Sequence, residues 1–481
     1  MMSEKTTIAK NAGILVMTDV VTRILGALLT IFIARKLGAT NLGLLAFAFS
    51  FTELFSFFAN FGFKNLISRD VAKELTKTDS YLGSISLIKL VLSAFVLLLI
   101  ISILHLMHCS QEKMLVVCIA ASIMVLTSFI EFFAAFFRAH QKVEYEALIK
   151  IILVFLRVST GLTILFLGYG LVPLMSVQFL VYLFSFALGF CLVVKKLSKP
   201  IFNIKWDFCI YLIKSAVPFA LLIIVVSINT QMGTVLLSFI KGDLVTGWFS
   251  AAQKLCGIFG FIPMAFVGAV LPAMSKFSQK RMHESLVKTY EGTIKHLLII
   301  VLPVAVGISI LADDFILMVY GREYIQSIIV LRILIWLLVF SFLNQACMIA
   351  FVSINKEKKF VIIQALGTLV NFCVNIALIP LIGAVGVSIA TVLAQIVIFA
   401  FSAYVLSKYF CEARIRKISV RPVLSVLLMS FFLFLFKKQD VIILVPLSGL
   451  LYGVTLYSLK TFNNNELSIL RELFRRKFAK F

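Results

Sequence analysis

Fourteen apolar stretches separated by short polar connections organise this chain. They fall at about 11–34, 42–63, 82–106, 114–137, 147–168, 171–194, 213–239, 245–273, 294–315, 326–352, 360–380, 385–407, 420–436 and 441–459. A helix rises about 1.5 Å per residue, so a run of about 20 residues matches a hydrocarbon core about 30 Å thick. Inside lipid the backbone must satisfy its own hydrogen bonds, and a helix does so within one segment. The pattern therefore predicts an all-α integral membrane protein with about fourteen transmembrane helices.

Two of these runs, joined by the short connection KGDLVTG, form a hairpin around Ser215–Ser275. Its arms carry groups that lipid disfavours: Asn229 and Gln231 in the first, Gln253 and Lys254 in the second. The same hairpin occurs earlier in the chain. One constant shift carries Leu28–Ala48 onto Met232–Ala252, aligning Thr30 with Thr234, Gly38 with Gly242, Gly43 with Gly247 and Ala48 with Ala252. Glycines on both sides of a tight turn suit a helix end followed by a close hairpin. A second echo pairs Tyr145 with Phe360 and Gly168 with Gly383. Chain order is kept, so the halves read as parallel repeats related by an axis along the membrane normal. The expected organisation is a first lobe at 1–200, a second at 201–410, two further helices at 411–460 and a tail at 461–481.

Composition agrees with the pattern. Of 481 residues, 61% are hydrophobic, well above the 45–50% typical of soluble domains. The net charge of +23 invites a nucleic-acid reading, but its distribution removes the need for one. With the N-terminus placed inside, most of the 45 Lys and Arg fall in the cytoplasmic connections and few in the outer turns. The expectation is a multi-pass protein of the cytoplasmic membrane with both termini cytoplasmic and no nucleic-acid partner. In the tail, Leu467, Leu470, Leu473, Phe474 and Phe478 recur at helical spacing against Arg471, Arg475, Arg476, Lys477 and Lys480. That pattern reads as a basic amphipathic helix on the anionic inner leaflet, with a partner helix as the alternative. The eight Cys include no CxxC and the five His are scattered, so neither a disulfide framework nor a metal site is implied. No cofactor is expected.

Ionisable residues inside the apolar runs are the strongest site signal, because charge in a bilayer is costly and is usually retained for function. Asp19, Arg23, Glu53, Lys89, Glu131 and Arg157 lie in the first six runs; Lys254 and Arg332 lie in the next six. The candidate substrate-binding residues are Arg23, Arg157, Lys89, Lys254 and Arg332, since five cations suit an anionic group such as a phosphate. The candidate ion-coupling residues are Glu53, Glu131 and Asp19. Each has a plainer reading. Asp19 and Arg23 are i,i+4 neighbours that can neutralise each other; Lys89, Glu131 and Arg332 can snorkel. Asn344, Gln345, Gln364, Asn371, Asn375 and Gln395 read mainly as polar glue between helices.

Several segments resemble a known family. VPFALLIIVVSINTQMGTVLLSFIKGDLVTGWFSAAQKL followed by FIPMAFVGAVLPAMSK is similar to the seventh and eighth helices of polysaccharide exporters of the MOP superfamily. ARKLGATNLG, FRAHQKVEYEALIK and LADDFILMVYGREYIQSIIVLRIL extend the resemblance over about residues 10–410. The resemblance implies two six-helix lobes in a V, plus two C-terminal helices, working by alternating access. It also implies the transport of the Wzx-type members, which flip undecaprenyl-pyrophosphate-linked oligosaccharides for surface polysaccharide synthesis. The expected partners are that lipid-linked oligosaccharide, membrane lipids, a coupling H⁺ or Na⁺, and polysaccharide-assembly proteins. The alternatives are a cation-coupled MATE-like drug exporter and a lipid II flippase. TRILG at Thr22–Gly26 resembles the lipid II flippase and carries a substrate-facing role onto Arg23. Leu29 and Thr30 then stand where that flippase has an Arg-Asp pair. Small outer segments argue against an enzyme, and no GxxxxGK[ST] loop is present for ATP.

Overall fold

The structure, a computed structural model, describes residues 2–198, 206–410, 415–437 and 439–462; from residue 463 onward the basic tail read at 461–481 lies outside them. Among the described residues every regular element is helical: α1 (Met2–Leu54), α2 (Ser56–Asn60), α3 (Phe63–Asp70), α4 (Thr78–Leu106), α5 (Gln111–Ala139), α6 (Val143–Phe166), α7 (Leu171–Lys196), α8 (Trp206–Gly257), α9 (Ile262–Gln279), α10 (His283–Ile310), α11 (Ala312–Val319), α12 (Ser327–Leu334), α13 (Trp336–Ser353), α14 (Glu357–Ile382), α15 (Ala384–Phe410), α16 (Ile415–Leu435) and α17 (Val441–Ser458). Among the described residues twelve helical segments are long and apolar enough to cross a membrane, so the protein is a multi-pass membrane protein.

Two of the twelve, Gly13–Leu54 and Ile223–Gly260, are 42 and 38 residues long, about twice what one crossing needs. Each is broken in the middle by a glycine. Gly38 has φ 81° and ψ 176°, and Gly242 has φ 82° and ψ 175°, a conformation that a Cβ would resist. Counting the two sides of each break separately recovers the fourteen expected spans. The near-identical angles give the repeat a backbone basis. The second echo has one too: Gly168 and Gly383 both take positive φ, 79° and 55°.

The chain forms two compact units. The first comprises Met1–Phe261, Val319–Val330 and Gln364–Thr391; the second comprises Ile262–Met318, Leu331–Ile363 and Val392–Phe481. In the first, α1 packs along α8 and α6, while α7 packs on α5 and α6. Phe129, Phe132, Phe133, Phe136 and Phe137 of α5 fill the core beside it. Asn229 Nδ2 donates to Thr368 Oγ1 at 2.9 Å, and Asn371 Nδ2 donates to the Asn229 carbonyl at 3.1 Å, so amides tie α14 to α8 as glue. In the second unit α10 packs on α9, α13 and α16, and Asn344 Nδ2 donates to Gln395 Oε1 at 2.7 Å.

Two expected spans are interrupted. The run at 42–63 stops as a straight helix at Leu54, and Phe61 and Gly62 are left-handed (φ 42° and 74°). The carbonyl of Ala59 is taken there by Lys89 Nζ at 2.6 Å and by Ser128 Oγ at 3.0 Å. The run at 245–273 is divided by a 3₁₀ segment at Ile258–Phe261.

The tightest contact joins the two glycine turns. A Cβ on Gly43 would lie 1.7 Å from the Asp243 carbonyl oxygen, and one on Gly247 would lie 1.9 Å from the Ala39 carbonyl oxygen. The shift that carries Gly38 to Gly242 also carries Ala39 to Asp243 and Gly43 to Gly247. The same contact is therefore made twice, once in each direction. Alanine at Gly43 or Gly247 must push backbone from backbone, and overpacking of this kind costs about 1–3 kcal/mol. Each substitution is expected to lower the thermal midpoint in detergent, whereas Gly449→Ala, which meets open space, leaves it unchanged or slightly higher.

Candidate functional site

A cavity of about 520 Å³ opens in the first unit beside this contact. α1 contributes Leu29, Thr30 and Ile33 before its glycine break, and Leu42, Ala46, Phe49, Ser50 and Glu53 after it. α8 repeats the arrangement with Thr230 and Gln231 before the break, and Ser250, Gln253, Lys254 and Gly257 after it. α6 supplies Arg157, and α7 supplies Leu174, Met175, Gln178 and Tyr182. Alternate turns of two broken helices thus bring polar groups and apolar side chains together onto one face.

Among the sequence-derived candidates, Arg157, Lys254 and Glu53 line this cavity. Arg157 is placed by α7: Gln178 Nε2 donates to its carbonyl at 3.0 Å, and its guanidinium donates to the Tyr182 hydroxyl at 3.4 Å. Gly161 has no Cβ to block Gln178, which would stand 3.1 Å from one. Among the described residues no carboxylate lies within ion-pair distance of Arg157 or Lys254. Glu53 accepts from Ser56 Oγ at 3.1 Å. The lining therefore carries two cations against one carboxylate, with three amides and several hydroxyls. Such a surface can hold an anion by charge-assisted hydrogen bonds and a saccharide by amides and hydroxyls.

The remaining candidates sit elsewhere. Arg23 is not among the lining residues; its guanidinium comes 3.7 Å from where a Gly260 Cβ would be. Asp19 pairs with Lys150 at 3.1 Å rather than with Arg23, because packing of α1 on α6 brings Lys150 onto its face. Lys89 is 1% exposed; besides the Ala59 carbonyl, its ammonium meets Ser128 and the ring of Phe129. Glu131 meets Lys64 at 3.4 Å, both half-exposed. Arg332, in the second unit, donates to Asp313 at 2.7 Å, and Lys437 meets the same carboxylate at 2.9 Å. Gln178, Tyr182 and Thr230 were not legible as site residues: they are uncharged, and only packing decides which face of a helix looks inward.

A model of the family described as "Polysaccharide biosynthesis protein" matches residues 8–278. The chain belongs to that family. The match takes in every residue that lines the cavity. A curated relative, the probable low-salt glycan biosynthesis flippase Agl15 of Haloferax volcanii, is 22% identical over 388 residues, 79% of each chain. The solved structure of the lipid II flippase MurJ, in an inward closed conformation, superposes with a TM-score of 0.74 at 17% identity, covering 95% of this chain and 99% of that one. An inward-facing multidrug resistance MATE family transporter of the MOP superfamily gives 0.66 at 17% identity, covering 80% and 95%. At such identities the likeness shows the fold. This member of the polysaccharide biosynthesis protein family thus shares the all-helical fold of those two structures.

The Asp313 cluster makes a stability statement. Burial alone would raise the Asp313 carboxyl, but the Lys437 hydrogen bond and the Arg332 charge outweigh it and hold it below its ordinary value. A depressed carboxyl contributes stability above its unfolded pKa, near 3.9, and loses that contribution as pH falls through the folded value. The groups are about a third exposed, so screening keeps the contribution to about 1 kcal/mol. Asp313→Asn is expected to lower the thermal midpoint at pH 7, with the difference from wild type shrinking as pH falls below the unfolded value and through the depressed folded one.

Proposed function

We propose that the protein is a transporter, not an enzyme, that flips a polyprenyl-pyrophosphate-linked oligosaccharide across the cytoplasmic membrane by alternating access for surface polysaccharide synthesis. The observation that carries this is the cavity's chemistry: Arg157 and Lys254 stand without carboxylate partners among amides and hydroxyls. In a membrane interior two such cations are expensive unless an anion or water meets them. A pyrophosphate offers an anion for which the Arg fork and the Lys ammonium are suited. The family match and the relatives, a glycan biosynthesis flippase and a lipid II flippase, support the same reading.

The alternatives fit less well. A cationic drug would meet two positive charges against Glu53 alone. Leu29 and Thr30, where the resemblance to the lipid II flippase expects an Arg-Asp pair, both line the cavity, so this cavity presents different chemistry at that place. Both termini are cytoplasmic in this reading, with 1–200 and 201–410 as the working halves. Glu53, in the cavity wall, is the coupling carboxylate for H⁺ or Na⁺.

Two outcomes test this. Losing a charge-assisted hydrogen bond costs about 1.5–3 kcal/mol, or roughly tenfold or more in affinity. Arg157→Ala and Lys254→Ala are each expected to reduce flipping of the lipid-linked glycan in proteoliposomes at least tenfold, while Arg157→Lys retains part of it. Wild-type rates in both Ala variants, at normal expression, would remove the cavity from substrate binding. Glu53→Gln, which mimics permanent protonation, is expected to abolish acceleration by an imposed pH or Na⁺ gradient and leave substrate binding intact; gradient-driven transport that persists would assign coupling elsewhere.

A further inference from the structure

The two glycine turns lie just beyond the cavity wall, between Ile33 and Leu42 on α1 and between Gln231 and Ser250 on α8, and a side chain from the opposite repeat grips each of them. At the second turn, Lys113 Nζ donates to the Asp243 carboxylate at 2.9 and 3.3 Å and to Ser238 Oγ at 2.9 Å. The same ammonium sits 4.0 Å from the centroid of the Phe47 ring. The pair is largely shielded, its side chains 15% and 20% exposed. At the first turn, Glu323 Oε1 accepts from the Ala39 N–H at 2.7 Å. Adjacent groups fasten that turn further: the Tyr324 hydroxyl donates to the Ala34 carbonyl at 3.1 Å, and Arg35 Nε donates to the Val319 carbonyl at 2.7 Å.

Helix-end physics explains why carboxylates stand at both places. Each glycine ends one helix and begins another, leaving N–H groups at the head of the new helix without intrahelical partners. That end also carries the positive pole, which favours a nearby anion. At the second turn the chain supplies Asp243 itself. At the first turn the equivalent residue is Ala39, which has no carboxylate, and Glu323 reaches in to provide one. The two grips also come from equivalent places. Lys113 is in the first turn of α5, just after the connection between the third and fourth spans; Glu323 lies in the connection between the ninth and tenth. Each repeat therefore fastens the turn of the other.

We propose that Lys113–Asp243 and Glu323–Ala39 act as a paired clasp that shuts this end of the cavity and must release for a polar headgroup to pass there. What passes rests on the transport reading above; the closure itself does not. Separating a shielded ion pair leaves each charge without its partner, so the clasped form is the resting one. The pair at Asp243 can be reversed in sign, since both members are side chains. The grip on Ala39 cannot, because its donor is backbone.

The test uses the full chain with the eight native Cys replaced and one reporter, Ala46→Cys, in the cavity wall. A membrane-impermeant maleimide is applied to right-side-out and inside-out vesicles, and labelling at position 46 is read by peptide mass. From the face bearing the turns, the parent is expected to label slowly. Lys113→Gln and Glu323→Gln should each speed that labelling tenfold or more, and Lys113→Asp combined with Asp243→Lys should restore the slow rate. Unchanged labelling in both Gln variants overturns the clasp. Faster labelling from both faces, unrepaired by charge reversal, means lost fold and overturns it as well. Labelling needs no substrate, so a failed clasp leaves the flippase reading standing, and failed glycan transport leaves the labelling result standing.

Discussion

Backbone touching backbone sets the geometry of the first unit. At Gly43 and Gly247 no side chain intervenes, and a single Cβ on either would fall within 2 Å of a carbonyl oxygen. In lipid, helices gain little from hydrophobic association, so close approach through small residues supplies the packing instead. This contact pins α1 and α8 at one level of the membrane. Leu42 and Leu45, beside the contact, already line the cavity, and the wall continues down the same arms to Glu53 and Gly257. The pinch and the cavity are two consequences of one pair of broken helices.

Charge is then sorted by whether it has a partner. Asp19 with Lys150, Glu131 with Lys64 and Arg332 with Asp313 are ion pairs. Lys89 instead ties a helix break, holding a carbonyl that the left-handed Phe61 and Gly62 leave without its helical donor. These groups offset the cost of sitting in a low-dielectric interior with contacts inside the protein. Arg157, which meets only the Tyr182 hydroxyl, and Lys254 have no carboxylate partner among the described residues, and they face the same open space. The division separates charges paired within the fold from charges that line the cavity without a carboxylate partner among the described residues.

Much of this was legible in the residues. Run lengths gave the spans, and the aligned glycines marked both breaks, because only glycine accepts those angles cheaply. Arg157 stood out, since nothing in its apolar surroundings on α6 could neutralise it, and it lines the cavity. The misses share a cause. Asp19 and Arg23 are neighbours along one helix, and that local term is worth only a few tenths of a kcal/mol; packing against α6 offered Lys150 and prevailed. The depth of Lys89 can be read from sequence, while the broken helix beside it, whose Ala59 carbonyl its ammonium takes, cannot. Lys113 and Asp243 lie in different connections, where charges are normally solvated, and nothing along the chain indicates that they meet.

The reciprocal glycine contact has a further consequence. Ala39 and Gly43 meet Gly247 and Asp243 under one and the same shift, so each patch is the complement of its own copy. That is the geometry of an isologous interface, in which residue i meets j and j meets i across a two-fold axis. A chain carrying one repeat could make this contact with a second copy of itself and pinch a cavity in the same way. Within one chain the two surfaces are free to differ, as Ala39 against Asp243 does.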